Sequence, residues 1–399
     1  MRKTELLAPA GDLKRVQVAL RYGADAVYCG GKELSLRARA GNLTIDEIRE
    51  ACHMAKEKGA RIYITANMIP HDEDLGKVEE YLINLQDAGV SGIIVSSLSI
   101  LQACKKAAPG MECHISTQQT SCNSAAVRYW KSLGADRVVL ARECTFREIE
   151  AIQKQQITDL EVFIHGAMCT NYSGRCLLSN EMTDRDANRG GCAQSCRWKY
   201  EVFKDGASEG MISLGAYDLN GAKWLSKLLE TGVRSLKIEG RMKTEFYIAS
   251  VVRAYRYLMD QWETNGTISS ADLAVFRHIL GHIQNRPCAD GFMGGIPGRE
   301  QLLLSTGLEK AVQDYIGDIL SYDAQQKTAM VRMRNHFETG ERAEILSPDQ
   351  PPVPFEVPWM KDPDGNPVST ANLPMQVLTV PLPYEAKPGD YLRRAYQDE

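Results

Sequence analysis

The chain has 399 residues, with 47 Lys and Arg against 51 Asp and Glu and 44% hydrophobic residues. That balance excludes a disordered or collagen-like chain, and a net charge of −4 excludes a protein that coats polyanions wholesale, though not one with a local basic groove. No apolar run reaches the roughly 18 residues of a membrane span, and the N-terminal MRKTELLAPAGD lacks the apolar core of a secretory signal, so a cytoplasmic chain with no membrane partner is expected.

In chain order, eight short apolar runs read as strands: TELLAPA from Thr4, DAVYCGG from Asp25, ARIYITAN from Ala60 and SGIIVSS from Ser91. ECHISTQ from Glu112, DRVVLAR from Asp136, LEVFIHGAMC from Leu160 and RSLKIEG from Arg234 complete them. Gly23, Gly59, Gly89, Gly134 and Gly232 each close a helix-like stretch just before one of these runs, the mark of a repeated αβ unit. Helical periodicity fits 45–58, 74–88 and 124–133, and Thr44 with Glu47 forms a capping box before the first. Eight strands with interleaved helices over about 240 residues match a (β/α)8 TIM-type barrel. The rival, a doubly wound open sheet, calls for a glycine-rich phosphate loop after the first strand, and APAGD holds no G-x-G-x-x-G.

This α/β reading divides the chain into a barrel over 1–285, a connector over 286–314 and a small β-barrel-like domain over 315–399. The barrel portion carries a cysteine-rich insertion at about 166–220, after the seventh strand, and trailing helices that include one from about Thr244 to Asn265. The last part rests on alternation and turn signals, with the proline-rich stretch 349–371 expected to be loop.

A barrel puts its active site at the C-terminal ends of its strands. The residues there include Cys29, Asn67, Ser96, Gln118, Arg142, Glu143, His165, Glu239 and Arg241, a polar set rich in charge. His165 alone would more often be structural. Lys237, Glu239 and Arg241, spaced by two, read either as a surface ion-pair ladder or as part of a barrel mouth. Of eleven cysteines, seven are scattered and read mostly as small buried hydrophobes, while Cys169, Cys176, Cys192 and Cys196 fall within 28 residues. Four thiolates gathered by one loop suit a 4Fe-4S cluster or a structural zinc; the C-x6-C-x15-C-x3-C spacing lacks the paired C-x2-C knuckles usual for zinc. Unliganded cysteines remain a third reading. Arg175, Arg185, Arg189 and Arg197 surround them, either as a solvated surface or to offset cluster charge and bind an anion.

The run Glu161-x-Phe163-x-x-Gly166-Ala167-Met168-Cys169-x4-Gly174-x-Cys176-x-Leu178-Ser179 resembles the signature of the collagenase-like peptidases, peptidase family U-32. DAVYCGGKELSLRARAGN, HISTQQTSCN, RVVLARE, NRGGCAQSCRWKY and KIEGRMK look like further blocks of that family, over about residues 4–300. The resemblance implies two functional traditions. In one the family are metal-dependent proteases. In the other they are iron–sulfur proteins that hydroxylate RNA bases or quinone precursors without molecular oxygen. The long form with ARAGN and a β-domain looks most like the tRNA-hydroxylation branch, which forms 5-hydroxyuridine at the wobble position in a prephenate-dependent way. The chain holds no H-E-x-x-H and no G-x-S-x-G, which favours hydroxylation.

On that basis Cys169, Cys176, Cys192 and Cys196 are expected to ligate the cluster, with Cys29 in reserve for the fourth position. His165, Glu143 and Glu239 are the expected catalytic residues. Asn67, Gln118, Arg142 and Arg241 are the expected substrate-binding residues, the two arginines for a dicarboxylate such as prephenate. Expected partners are tRNA, that small anion and a homologous subunit, with Arg332, Arg334, Arg393 and Arg394 offering positive charge to RNA. The alternatives are a peptidase and a non-catalytic iron–sulfur scaffold or sensor.

Overall fold

The computed structural model describes residues 3–36, 41–283, 286–301 and 314–395, which group into two compact units. Residues 37–40 of the ARAGN block and 302–313 of the connector lie outside the described residues. The first unit comprises 1–20, 24–244 and 286–309, and the second 21–23, 245–285 and 310–399.

In the first unit, β1 (Glu5–Pro9), β2 (Ala26–Gly30), β3 (Arg61–Ala66), β4 (Gly92–Val95), β5 (Glu112–Ile115), β6 (Arg137–Val139) and β7 (Asp159–Gly166) pair in parallel, in chain order. After them come an antiparallel hairpin, β8 (Tyr200–Lys204) and β9 (Ala207–Ile212), and then β10 (Asp218–Asn220). The eighth barrel strand, β11 (Ser235–Ile238), pairs in parallel with both β7 and β1 and closes the barrel. Helices α1 (Leu13–Arg21), α2 (Ile45–Glu57), α3 (Val78–Asp87), α4 (Leu98–Ala107), α5 (Ser124–Ser132) and α6 (Phe146–Gln153) alternate with the strands. The insertion carries the short α7 (Leu178–Thr183), and α8 (Leu225–Thr231) precedes β11. The five glycines expected to close helices all adopt positive φ, from +67° to +103°, where a side chain would strain the backbone. Thr44 and Glu47 form the expected capping box on α2.

Side chains alternate along each strand, so Glu5, Leu7, Tyr28, Tyr63, Ile94, Glu161 and Lys237 face the barrel interior. Leu7, Tyr28, Tyr63 and Ile94 pack together there, beside a network of buried charge. Arg137 pairs with Glu5 and lies 3.0 Å from Glu161, whose other oxygen takes a 2.7 Å bond from Lys237 Nζ. Tyr63 Oη donates to Glu5, and the Lys237 ammonium sits 4.3 Å from the Tyr28 ring centre. Lys237 is therefore part of the barrel's interior and not of a surface ladder. Lys237 and Arg137 outweigh the desolvation of Glu161 and hold its carboxyl at about 2.

Two features of this unit go beyond the sequence reading. Strand β10 pairs antiparallel with the end of β7, and β12 (Cys288–Ala289) pairs with β10, so part of the expected connector belongs to this sheet. The hairpin β8–β9 has largely exposed strands, whose weak alternation left no signal.

The second unit holds α9 (Glu245–Asn265), as expected, α10 (Ser270–Gly281) and an eight-stranded sheet whose paired strands all run antiparallel. Tyr255 packs edge-on against Phe276 between the helices, and Ile316, Val331, Phe337, Ile345, Leu378 and Leu392 contribute to the β core. The proline-rich stretch read as loop contains four two-residue strands, at Phe355–Glu356, Met360–Lys361, Pro367–Val368 and Thr370–Ala371. Each lies between prolines or ends at one, which is why no longer alternation could show. Arg393 is fully buried against Glu344, and Arg334 and Arg394 pair with Asp318 and Glu341. Arg393 is thus not a surface contact for RNA: its strand places it inward, which two adjacent arginines in sequence do not reveal. Among the described residues no helix is long and apolar enough to cross a membrane.

Arg137→Met removes the cation shared by two buried carboxylates. It should destabilise the folded chain by about 3–5 kcal/mol, measured by urea unfolding, while Arg49→Ala, which breaks an exposed pair with Asp46, should cost under about 1 kcal/mol. Equal losses would mean the interior network carries no special weight.

Candidate active site at the barrel mouth

The ends of β6, β7 and β11 bring three side chains together. Arg142 donates to Glu239 Oε2 at 2.7 Å, and its guanidinium carbon lies 4.0 Å from the centre of the Phe163 ring. Its charge also reaches Cys169 and lowers that thiol's pKa, against a larger upward push from desolvation. Arg142 thus links the barrel end to the first cysteine.

The next residue, Glu143, holds the cysteine loop. It accepts from Ser173 N at 2.8 Å and from Ser173 Oγ at 3.0 and 3.2 Å. Thr120 Oγ1 donates to Ser173 O at 2.6 Å. Gly174, at φ +69°, lets the loop lie so close over the end of β5 that a Cβ there would come 2.1 Å from Gln118 O. The far end of the insertion is tied to the chain after β3: Arg189 donates to Ile69 O at 2.6 Å and pairs with Asp74 at 2.7 Å. Arg189 is a fastening of the loop and holds Asp74 below the usual carboxylate range.

The four thiols of this loop form no disulfide. Cys169 lies in Coulombic reach of Cys176 and Cys192, and Cys196 in reach of Cys169 and Cys192. Asn171 Nδ2 donates to Cys176 Sγ at 3.3 Å, and desolvation and the neighbouring Cys169 push the Cys196 thiol up, with Arg197 opposing them. No three of these sulfurs lie within 4.8 Å of one another, whereas zinc–sulfur bonds of about 2.3 Å would set tetrahedral sulfurs about 3.8 Å apart. The donor set is four thiols of one loop, interacting with one another and lying beside cationic side chains, the kind of set that can hold an iron–sulfur cluster or a single soft ion. Cys29 stands apart from this group. It is buried, its nearest interacting thiol is Cys52 of α2, and desolvation pushes it up to about 12.

Arg241 is buried at the mouth and donates to Thr65 Oγ1 at 2.7 Å, Ser35 Oγ at 3.0 Å and Asn42 Oδ1 at 2.7 Å. Gly30 makes room for it, since a Cβ there would lie 2.3 Å from the guanidinium. Asn67 accepts from Leu36 N at 3.3 Å, and Ser96 Oγ donates to Asn67 O at 2.8 Å. Gln118 Oε1 is buried with no hydrogen-bond partner among the described residues, an acceptor that a bound donor would satisfy.

His165 differs from the rest. A register shift pairs Phe163 with Lys237 but His165 with Ile238, which takes His165 off the inward row set by Glu161 and Phe163. Burial, with Lys243 adding to it, lowers its pKa to about 3. Ser35, Asn42, Thr65 and Ser173 were not singled out from the sequence; for Thr65 the signal was present, two residues beyond Tyr63 on an inward row.

A model of the family described as Peptidase family U32 matches residues 11–302, and one of the Peptidase family U32 C-terminal domain matches 312–393. "tRNA hydroxylation protein P1" of Bacillus subtilis is 40% identical over 98% of this chain and 95% of its own length. "23S rRNA 5-hydroxycytidine C2501 synthase" of Escherichia coli is 36% identical over 70% of this chain and 43% of its own. A protein named "Collagenase" from Porphyromonas gingivalis is 33% identical over 73% of each chain.

The depressed pKa of His165 has a consequence for stability. Unfolded, the imidazole titrates near 6.5; folded, it does so at about 3. Between these values the unfolded chain binds a proton that the folded chain does not, so stability falls as pH drops, by up to about 1.4 kcal/mol per pH unit. His165→Asn should lose stability less steeply than wild type between about pH 6 and 4, measured by denaturant titration. Parallel curves would mean that the folded imidazole takes up protons normally.

Proposed function

The chain belongs to peptidase family U32, and we propose that it hydroxylates RNA, forming 5-hydroxyuridine at the tRNA wobble position with a 4Fe-4S cluster as cofactor. The observation that carries the reading is Arg142, which is bound to Glu239 at the strand ends and whose charge reaches Cys169, the first of four thiols in one loop. The names of the relatives that act on tRNA and rRNA point the same way.

Cys169, Cys176, Cys192 and Cys196 would hold the cluster. Replacing a base C–H by C–OH inserts one oxygen atom and is a two-electron oxidation, so the reaction also takes an oxygen donor and an electron acceptor; a bound 4Fe-4S cluster would carry those electrons one at a time. The chain's own residues bind and orient. Gln118 Oε1 can accept an N–H from a pyrimidine edge, and Glu239, fixed by Arg142, presents a carboxylate at the end of β11. Arg142 and Arg241 suit the carboxylates of prephenate, since a guanidinium meets a carboxylate with two parallel bonds. Glu143 serves as a positioning residue through Ser173. His165, neutral at physiological pH, acts as a hydrogen-bonding group. Exposed Tyr172 and Trp198, with Arg175 and Lys199 beside them in sequence, offer stacking faces and positive charge to an unpaired base. Reconstitution with the purified chain alone tests whether a homologous subunit is needed.

A peptidase of the Cys–His kind needs an imidazole able to accept a thiol proton near neutral pH. Burial and Lys243 put His165 far below that, which speaks against this reading.

After anaerobic purification the chain should carry about four irons and four sulfides, the content of one cluster. Ser replacement of Cys169, Cys176, Cys192 or Cys196 should remove most of that iron, while Cys29→Ser should keep it. Full iron in any of the four variants would remove that residue from the ligand set. Arg142→Lys keeps the charge but loses the fork, and should lower the hydroxylated fraction of wobble uridine at least 10-fold, about 1.4 kcal/mol in a barrier. Unchanged modification would discard Arg142's role.

A further inference from the structure

The second unit holds a group of side chains that this reaction does not use. His278 lies in the last turn of α10 and His282 at its C-cap, so the two imidazoles stand four residues apart on one helix face. Glu344, on the strand Arg342–Leu346, meets both. His278 Nε2 is 3.1 and 3.0 Å from its two carboxylate oxygens, and His282 Nε2 is 3.3 Å from Oε1. One ligand atom from each of the three residues falls within 4.8 Å of the others, the sole such trio found among the described residues. Donors around a tetrahedral zinc ion, with bonds of about 2.0–2.1 Å, stand about 3.3 Å apart.

The contacts beyond this trio define its polarity. His282 Nδ1 lies 3.1 Å from Asp314 Oδ2. An ionised carboxylate only accepts, and Nδ1 is the side of the ring that faces Asp314, while Nε2 faces Glu344. Glu344 is itself held by Arg393, through Nε at 2.8 Å and Nη2 at 2.6 Å, and Arg393 Nη1 donates to Ile279 O at 2.8 Å. A carboxylate behind a ligating histidine and a donor behind a ligating carboxylate are the outer contacts of metal sites. His282 and Glu344 are buried, while the His278 side chain is 28% exposed and leaves a way in.

We propose that His278, His282 and Glu344 bind one divalent transition-metal ion of the zinc class, with water as the fourth ligand and Asp314 as a positioning residue. The ion ties α10 to the sheet, so its binding stabilises the fold.

The test is titration of the full chain with zinc, and separately with cobalt, in wild type and in His278→Gln. Both retain every cysteine, so metal bound to thiols contributes equally. The glutamine amide can still donate to Glu344, so a purely hydrogen-bonded cluster would survive the change. Wild type should bind one more equivalent than His278→Gln, show cobalt bands without thiolate charge transfer for that equivalent, and gain thermal stability that the variant does not. Equal metal content and equal spectra would overturn the site. Should His278→Gln fail to fold, Asp314→Asn decides: it should weaken the extra equivalent about 10–100-fold, and unchanged affinity would overturn the proposal.

Discussion

Two neighbouring residues at the end of β6 pull in different directions, and the candidate site depends on both. Arg142 reaches across to Glu239 and lies over Phe163, which ties three strand ends together. Glu143 takes the backbone and hydroxyl of Ser173 and so fixes the loop between the first two clustered cysteines. The positions are adjacent in the chain, so neither contact can shift far without straining the other. The cysteine loop is thereby seated by the same short segment that orders the polar groups at the strand ends.

That arrangement needs a rigid support, and the barrel interior supplies it. Glu5, Arg137, Glu161 and Lys237 sit one layer below the mouth, buried and mutually paired. Burying them is costly, and only their pairing offsets the loss of water. The geometry this imposes is specific: each charge is useful only where its partner stands. Above this layer Thr65, Asn42 and Ser35 gather around Arg241. Those three bonds fix the plane and position of the Arg241 guanidinium at the mouth.

Much of the first unit was legible because its signals are local. Five glycines at positive φ, a capping box and β-branched runs are each readable within a few residues, and they fix the order of strands and helices. The four cysteines were legible from their clustering. What escaped was set by tertiary context. The bulge that turns His165 off the inward row depends on pairing between β7 and β11, not on the run LEVFIHG itself. The burial of Arg393 depends on Glu344, 49 residues away. Strands β10 and β12 are three and two residues long, and β10 pairs with the end of β7 while β12 pairs with β10, partners far away in the chain. Ser173 is an unremarkable loop residue until Glu143 is found against it.

In the proposed reaction the four cysteines and the polar barrel mouth work together on RNA. Mass spectrometry of tRNA nucleosides, from a strain lacking the gene and complemented with wild type or with Cys176→Ser at equal protein level, tests it most directly. Hydroxylated wobble uridine should disappear in the deletion strain and return only with wild type. Unchanged hydroxyuridine in the deletion strain, or full restoration by Cys176→Ser, would contradict it.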